Sequence, residues 1–312
     1  MQNLSTSHDI LSPCLTKRLL HEPTYYLGIV LLASAMSLLT VILNLIFIAT
    51  MLSQRKIQKH TSNKLLIVLC MVDLLQGIFT WPLTAGNFVI FYSLDMNCFL
   101  LNAIYIIGHC LVALTLWTIF LIALEQYIAI IHPYFYISHV TFCRLLLPMI
   151  AINFLLTMIN VMGEVKLNTV WKYYFKFSFP VVGFPLVMGL LYMHAKVIRC
   201  ASQVTAKITD NNKEEGKQIK IRAKAARSGL LVLLATLLCY CPHICYTIYE
   251  KVSRPTPSTT TFVRYPTEIF SLFSSVVDPV VYYWRLKSLR KATTHMLASL
   301  CKNGRVGQQT SP

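Results

Sequence analysis

Asp278 and Pro279 stand side by side in the run Ser274-Ser275-Val276-Val277-Asp278-Pro279-Val280-Val281-Tyr282-Tyr283, inside the last long apolar segment of the chain. Each is costly in such a place. An acid at the centre of a bilayer costs about 2.5–3.5 kcal/mol on insertion scales, so it is there for a reason. Proline has no N–H, so an upstream helical carbonyl loses its donor and a neighbouring helix or water must replace it. Asp73 is a second acid of this kind, the sole one in the apolar stretch Lys64–Tyr92. Buried carboxylates of this sort can hold a cation, keep a proton or tie helices together, and the residues alone leave these open. No nucleophile–base arrangement accompanies them, and no Cys/His spacing suits a metal, so the chain is not expected to be an enzyme.

Acids in such settings need a bundle around them. Of the 312 residues, 55% are hydrophobic and 13% charged, against about 25% charged in soluble domains. Seven stretches approach the roughly 20 apolar residues that span a bilayer. They are Tyr25–Leu52, Lys64–Tyr92, Cys98–Ile131, Phe142–Gly163, Tyr173–Ala195, Ser228–Tyr249 and Phe262–Trp284. The seventh is the most polar, carrying Arg264, Glu268 and Asp278, so it must face the bundle interior. The fold class that follows is an all-α membrane protein, a seven-helix transmembrane bundle. Residues 1–24 form an N-terminal segment, 25–298 the membrane domain and 299–312 a tail. The first 23 residues lack the apolar core of a signal peptide, so the first span is expected to target the chain.

A net charge of +16 invites a nucleic-acid reading, but most of the 28 Lys and Arg residues sit in short loops between apolar runs. They concentrate on one side: Arg55 to Lys64, Lys196 to Arg227, and Arg285 to Arg305. Positive charge marks the cytoplasmic side, which puts the N-terminus outside and the C-terminus in the cytoplasm. The sequon Asn3-Leu4-Ser5 agrees, with Asn3 as the glycosylation candidate. The Cys200–Lys224 region reads as two helix extensions joined by a breaker-rich tip. After Trp284, apolar residues recur at three- and four-residue spacing among basic ones, as expected of an amphipathic helix on the anionic inner leaflet. Cys301 beyond it is a candidate for palmitoylation or an unmodified thiol.

Particular residues on these spans carry a resemblance. They are Asn44; Asn63 through Asp73, with Pro82 nine residues beyond the acid; Glu125-Gln126-Tyr127; Pro185; Cys239-Tyr240-Cys241-Pro242; and Asp278-Pro279-Val280-Val281-Tyr282. In that order they resemble the rhodopsin-like (class A) G-protein-coupled receptors, over roughly Tyr25 to Leu297. The Asp-Pro in the seventh span and a second outer loop without cysteine are similar to melanocortin receptors and their lipid and adenosine relatives.

The resemblance implies a plasma-membrane receptor for an extracellular ligand, coupled to a heterotrimeric G protein and recruiting arrestin. It implies an internal sodium site at Asp73, Asp278, Thr115, Ser274 and Ser275, with Asp278 in place of the usual Asn. The structural alternative is an acid pair joining two helices. Switch and coupling residues would be Glu125, Gln126, Tyr127, Arg222, Pro242 and Tyr282. Gln126 replaces the arginine that engages the G protein, and Glu125 is expected either to pair with Arg222 or to stand as a separate solvated charge. Cys14 and Cys98 are the candidates for an outer disulfide. A retinal lysine is absent from the seventh span, and Gly108 occupies the amine-receptor acid's position. The remaining ligand-contact candidates are Glu268, His109, Val112, His243, Tyr246, Thr247 and, at the floor, Tyr240. A non-signalling relative and a transporter or channel remain as alternatives.

Overall fold

Apolar runs too long for a soluble domain fold here as helices, because a helix satisfies its own backbone polar groups where no water is at hand. The computed structural model describes residues 23–53, 61–82, 98–166, 185–200, 202–203, 213–253, 257–285, 289–294 and 298. Helix α1 is Pro23–Ser53, α2 is Thr61–Leu75 and α3 is Cys98–Ile131. Helix α4 is the short Pro133–His139, and α5 is Phe142–Lys166. Residues 185–200 form α6; α7 is Lys213–Ser253, α8 is Pro257–Leu272 and α9 is Ser274–Arg285. Residues 289–294 form α10. The described residues contain no strand.

The expected spans map onto these helices with three departures. The second span continues from α2 through a π-helical turn, Gln76–Thr80, in which the Trp81 N–H reaches back to the Gln76 carbonyl. The seventh is two helices rather than one, broken at Phe273. The connection between the third and fourth spans is helical: α4 bends by 79° into α5. Pro133 starts α4 at a position where a missing N–H costs nothing. At 41 residues, α7 is about 60 Å long and exceeds the bilayer core. Its first turns, from Lys213, fall within the Cys200–Lys224 region expected to carry helix extensions. Residues 83–92 and 173–184, parts of the second and fifth spans, lie outside the described residues.

Helix α3 is central, packing on α2, α5 and α7, while α9 packs on α1, α2 and α7. The core has two apolar clusters. The inner one joins Phe47, Leu69, Ile119, Met149, Leu190, Val232 and Tyr282. The outer one joins Ile29, Met36, Trp81, Ile269, Leu272 and Val276, with Val112 packed against it. Large apolar side chains such as Leu31, Leu38, Phe154 and Leu238 point outward, the arrangement a lipid-facing surface requires.

Prolines in the seventh span are served by α1. Pro279 cannot donate to the Ser275 carbonyl four residues back, and Asn44 Nδ2 donates there instead at 3.1 Å. Pro266 likewise orphans the Phe262 carbonyl, which accepts from the Tyr25 hydroxyl at 3.1 Å. At the Phe273 break the chain serves itself: the Ser274 hydroxyl donates to Ser271 O at 3.1 Å and Ser275 to Leu272 O at 2.8 Å.

Helix α10 does more than rest on a leaflet. Leu289, Ala292 and Thr293 are buried, Leu289 within the inner apolar cluster. The Thr293 hydroxyl approaches that of Thr50 on α1 at 3.3 Å, while Lys291 stays exposed. The small amphipathic helix thus docks on the bundle with its apolar face.

Candidate functional site

Between the two apolar clusters lies a layer of fully buried polar side chains: Thr40, Asn44, Asp73, Gln76, Thr115, Thr236, Ser274, Ser275 and Asp278. They come from α1, α2, the π turn, α3, α7 and α9, so the layer joins most of the bundle. Asp73 and Asp278 lie within electrostatic reach of each other, and Cys70, Tyr240 and Tyr282 share that field.

Hydrogen-bond bookkeeping in this layer leaves acceptors in surplus. A threonine hydroxyl has one proton to give. Thr115 lies beside Asp73 but donates to Leu111 O at 3.3 Å, and it accepts from Gln76 Nε2 at 2.8 Å. Thr236 is 3.5 Å from Asp278 Oδ1 and closer, at 2.9 Å, to Val232 O. Both Asn44 amide protons go to carbonyls, those of Thr40 and Ser275. Among the described residues, both Asp73 oxygens, Asp278 Oδ2, Gln76 Oε1 and Asn44 Oδ1 have no hydrogen-bond partner. A dry pocket of oxygen acceptors with two carboxylates is stable only with added positive charge, as protons or a hard cation, and oxygen donors suit such a cation.

A further buried acid stands at the end of α3 nearest α4. Glu125 is buried, and its two carboxylate oxygens accept from Ser62 Oγ and from the Tyr136 hydroxyl, the latter at 2.6 Å. Glu125 thereby fixes the start of α2 and the helix α4 against α3. Gln126 beside it is buried, with Oε1 unpartnered among the described residues. Tyr127 stands edge-on to His132 at a centroid distance of 6.1 Å. Arg222 is on α7, but its side chain lies outside the described residues, as do those of Cys98, His109 and Thr247. Asn3, Cys14 and Cys301 lie outside them altogether.

Of the expected ligand contacts, Tyr240 and Tyr246 are buried on α7 and His243 is half-buried, as is the expected switch residue Pro242. Tyr240 adjoins Ser274, close to the acid pair. Glu268 is half-buried on α8, one residue before Ile269 of the outer cluster against which Val112 packs. Tyr282 is buried beside Phe47, ring centroids 6.3 Å apart. Sequence reasoning passed over Gln76, Thr236, Ser62 and Tyr136. A lone amide or hydroxyl in an apolar run carries no spacing signal, and its role emerges only when another helix faces it.

Residues 43–282 match the profile described as 7 transmembrane receptor (rhodopsin family). This chain therefore belongs to the rhodopsin family of seven-transmembrane receptors and is a multi-pass membrane protein, not an enzyme. It is 24% identical over 308 residues to cannabinoid receptor 1 of Xenopus laevis, covering 89% of this chain. The chain spans 64% of the length of that relative.

Proposed function

We propose that this receptor sits in the plasma membrane with its N-terminus outside, binds an extracellular ligand in the outer half of the bundle and signals to a heterotrimeric G protein. The carrying observation is the polar layer. Two buried carboxylates with unpartnered oxygens touch helices from both halves of the fold, so their charge state depends on how those helices sit. Ligand in the outer half, against Glu268, His109, Val112, His243, Tyr246 and Thr247, bears on Tyr240. Tyr240 adjoins Ser274 and the acids, and the inner part of α7 moves about Pro242. Asp73, Asp278, Thr115, Ser274 and Ser275 would hold a sodium ion or a proton, which favours one helix arrangement. A ligand shifts that balance only through a difference in affinity for the two states.

The exposed side chains of α4, Tyr134, Phe135 and Ile137, lie on the inner side and offer a G protein an apolar patch next to Glu125-Gln126-Tyr127. Arrestin would meet the same side. The relative's name makes cannabinoids the first ligands to screen.

Full-length protein expressed in cells, screened for G-protein activation and arrestin recruitment, tests the reading. Sodium is expected to change ligand affinity by about 5-fold or more, the scale of ordinary coupling between sites, and Asp73→Asn to remove that dependence. Equal sodium dependence in wild type and Asp73→Asn would remove the cation site from the scheme. A second reading, a receptor that binds without signalling, is favoured by Gln126, which cannot supply the charge of an arginine. It predicts ligand binding in both forms and activation only in Gln126→Arg.

A further inference from the structure

Two thiols on α7 take no part in the polar layer, the Glu125 contacts or the proposed ligand site. Cys241 and Cys245 are one helical turn apart, both exposed, with their sulfurs 3.9 Å from each other. They share the outward stripe of α7 with Leu238 and Ile248, which are 70% and 59% exposed. In the bilayer this stripe faces lipid. The turn they bracket contains Pro242, where the helix lacks a backbone hydrogen bond.

Geometry separates the chemistries open to such a pair. A disulfide needs sulfurs about 2.05 Å apart and Cβ atoms about 3.5–4.5 Å apart, whereas positions i and i+4 of a helix hold their Cβ atoms about 5–6 Å apart. A disulfide would therefore distort the helix. A bridging metal ion needs no such approach. Two metal–sulfur bonds of about 2.3 Å allow a sulfur separation up to about 4.6 Å, and 3.9 Å lies within that reach. Two sulfur donors with no oxygen or imidazole among them suit soft cations, copper(I) being the example among biological metals.

We propose that Cys241 and Cys245 form a two-thiol site for a soft d10 cation of the copper(I) type. The cation arrives with a counter-anion and bonds to both sulfurs; one thiol gives its proton to the departing anion and the other keeps its own. One positive charge enters, one leaves as the proton, and the complex is neutral, as a lipid-facing position demands. The ion fixes both side chains across the turn at Pro242 and stiffens α7 where it bends.

Silver(I), which has no accessible redox change under these conditions, is the probe. Full-length receptor in nanodiscs, kept reduced, is titrated with silver(I), desalted and analysed for bound metal, with maleimide labelling of the two cysteines followed by mass spectrometry. Wild type is expected to retain one more silver equivalent than Cys241→Ala/Cys245→Ala, and silver to protect both thiols together. Each single variant should bind about 10²–10⁴-fold more weakly at this site, the usual gain from a tethered second contact. Equal retention by wild type and the double variant would overturn the proposal. So would single variants that bind as tightly as wild type, or a two-hydrogen mass loss showing a disulfide without metal. Should the double variant fold poorly, joint protection of the two thiols in wild type decides the matter alone.

Discussion

Asn44 directs its amide at a carbonyl that Pro279 cannot serve, and Tyr25 does the same for Pro266. The two bonds differ in setting. Asn44 is fully buried, so Asn44→Ala leaves a carbonyl without water or partner, at a cost of about 1–3 kcal/mol. The Tyr25 bond is exposed, so Tyr25→Phe should cost only about 0.5–1.5 kcal/mol. Thermal unfolding of both variants in one detergent checks the order; a larger loss for Tyr25→Phe would contradict it. The need of Pro279 for an outside donor was legible in the chain from the missing N–H. Which residue answers it was not, because Asn44 and Ser275 are 231 positions apart and only the packing of α1 on α9 joins them. The acids were legible for a similar reason, since a charge in an apolar run needs explanation. Gln76 and Thr236 were not, because neutral polar groups are cheap enough in a membrane helix to pass as filler.

Among the elements, the π turn is the feature that periodicity does not foretell. Seven apolar stretches mark seven spans, but one extra residue in a turn leaves hydropathy unchanged. Its effect is close contact: a Cβ on Gly77 would lie 3.0 Å from Val41 Cγ2 and 3.1 Å from Thr40 Cγ2. Both neighbours are β-branched and stiff about χ1, and the Ser37 hydroxyl holds the Gly77 carbonyl at 2.8 Å. Gly77→Ala should therefore destabilise by about 1–3 kcal/mol through overpacking. Gly108 on α3 is the control. A Cβ there would sit 3.5 Å from Thr80 Cγ2, an ordinary contact, and Gly108→Ala should be neutral or gain up to about 1 kcal/mol from helix propensity. Melting temperatures of the two alanine variants should move in opposite directions or differ clearly. The break at Phe273 was equally hidden, although Ser271, Ser274 and Ser275, which cap it, stand in plain view in the sequence.

At the scale of the whole molecule, the inner end of α3 is tied to α2 and α4 by Glu125, through Ser62 and Tyr136. Tyr136→Phe removes one of these ties without changing shape, and it should raise ligand-independent G-protein activation if α4 must shift for coupling. Unchanged basal activation would make the Tyr136 contact purely structural. One last consequence belongs to the first and last spans. Tyr25 meets Phe262, Asn44 meets Ser275 and Thr50 meets Thr293, across 237, 231 and 243 positions of sequence. Helix α1 is thus gripped at three heights by segments 231 to 243 positions further along the chain. During biogenesis α1 must wait for these contacts until α8, α9 and α10 have been made. Nonsense mutations before Pro257 would strand it without that grip, and such fragments should be cleared by quality control rather than persist as partial receptors.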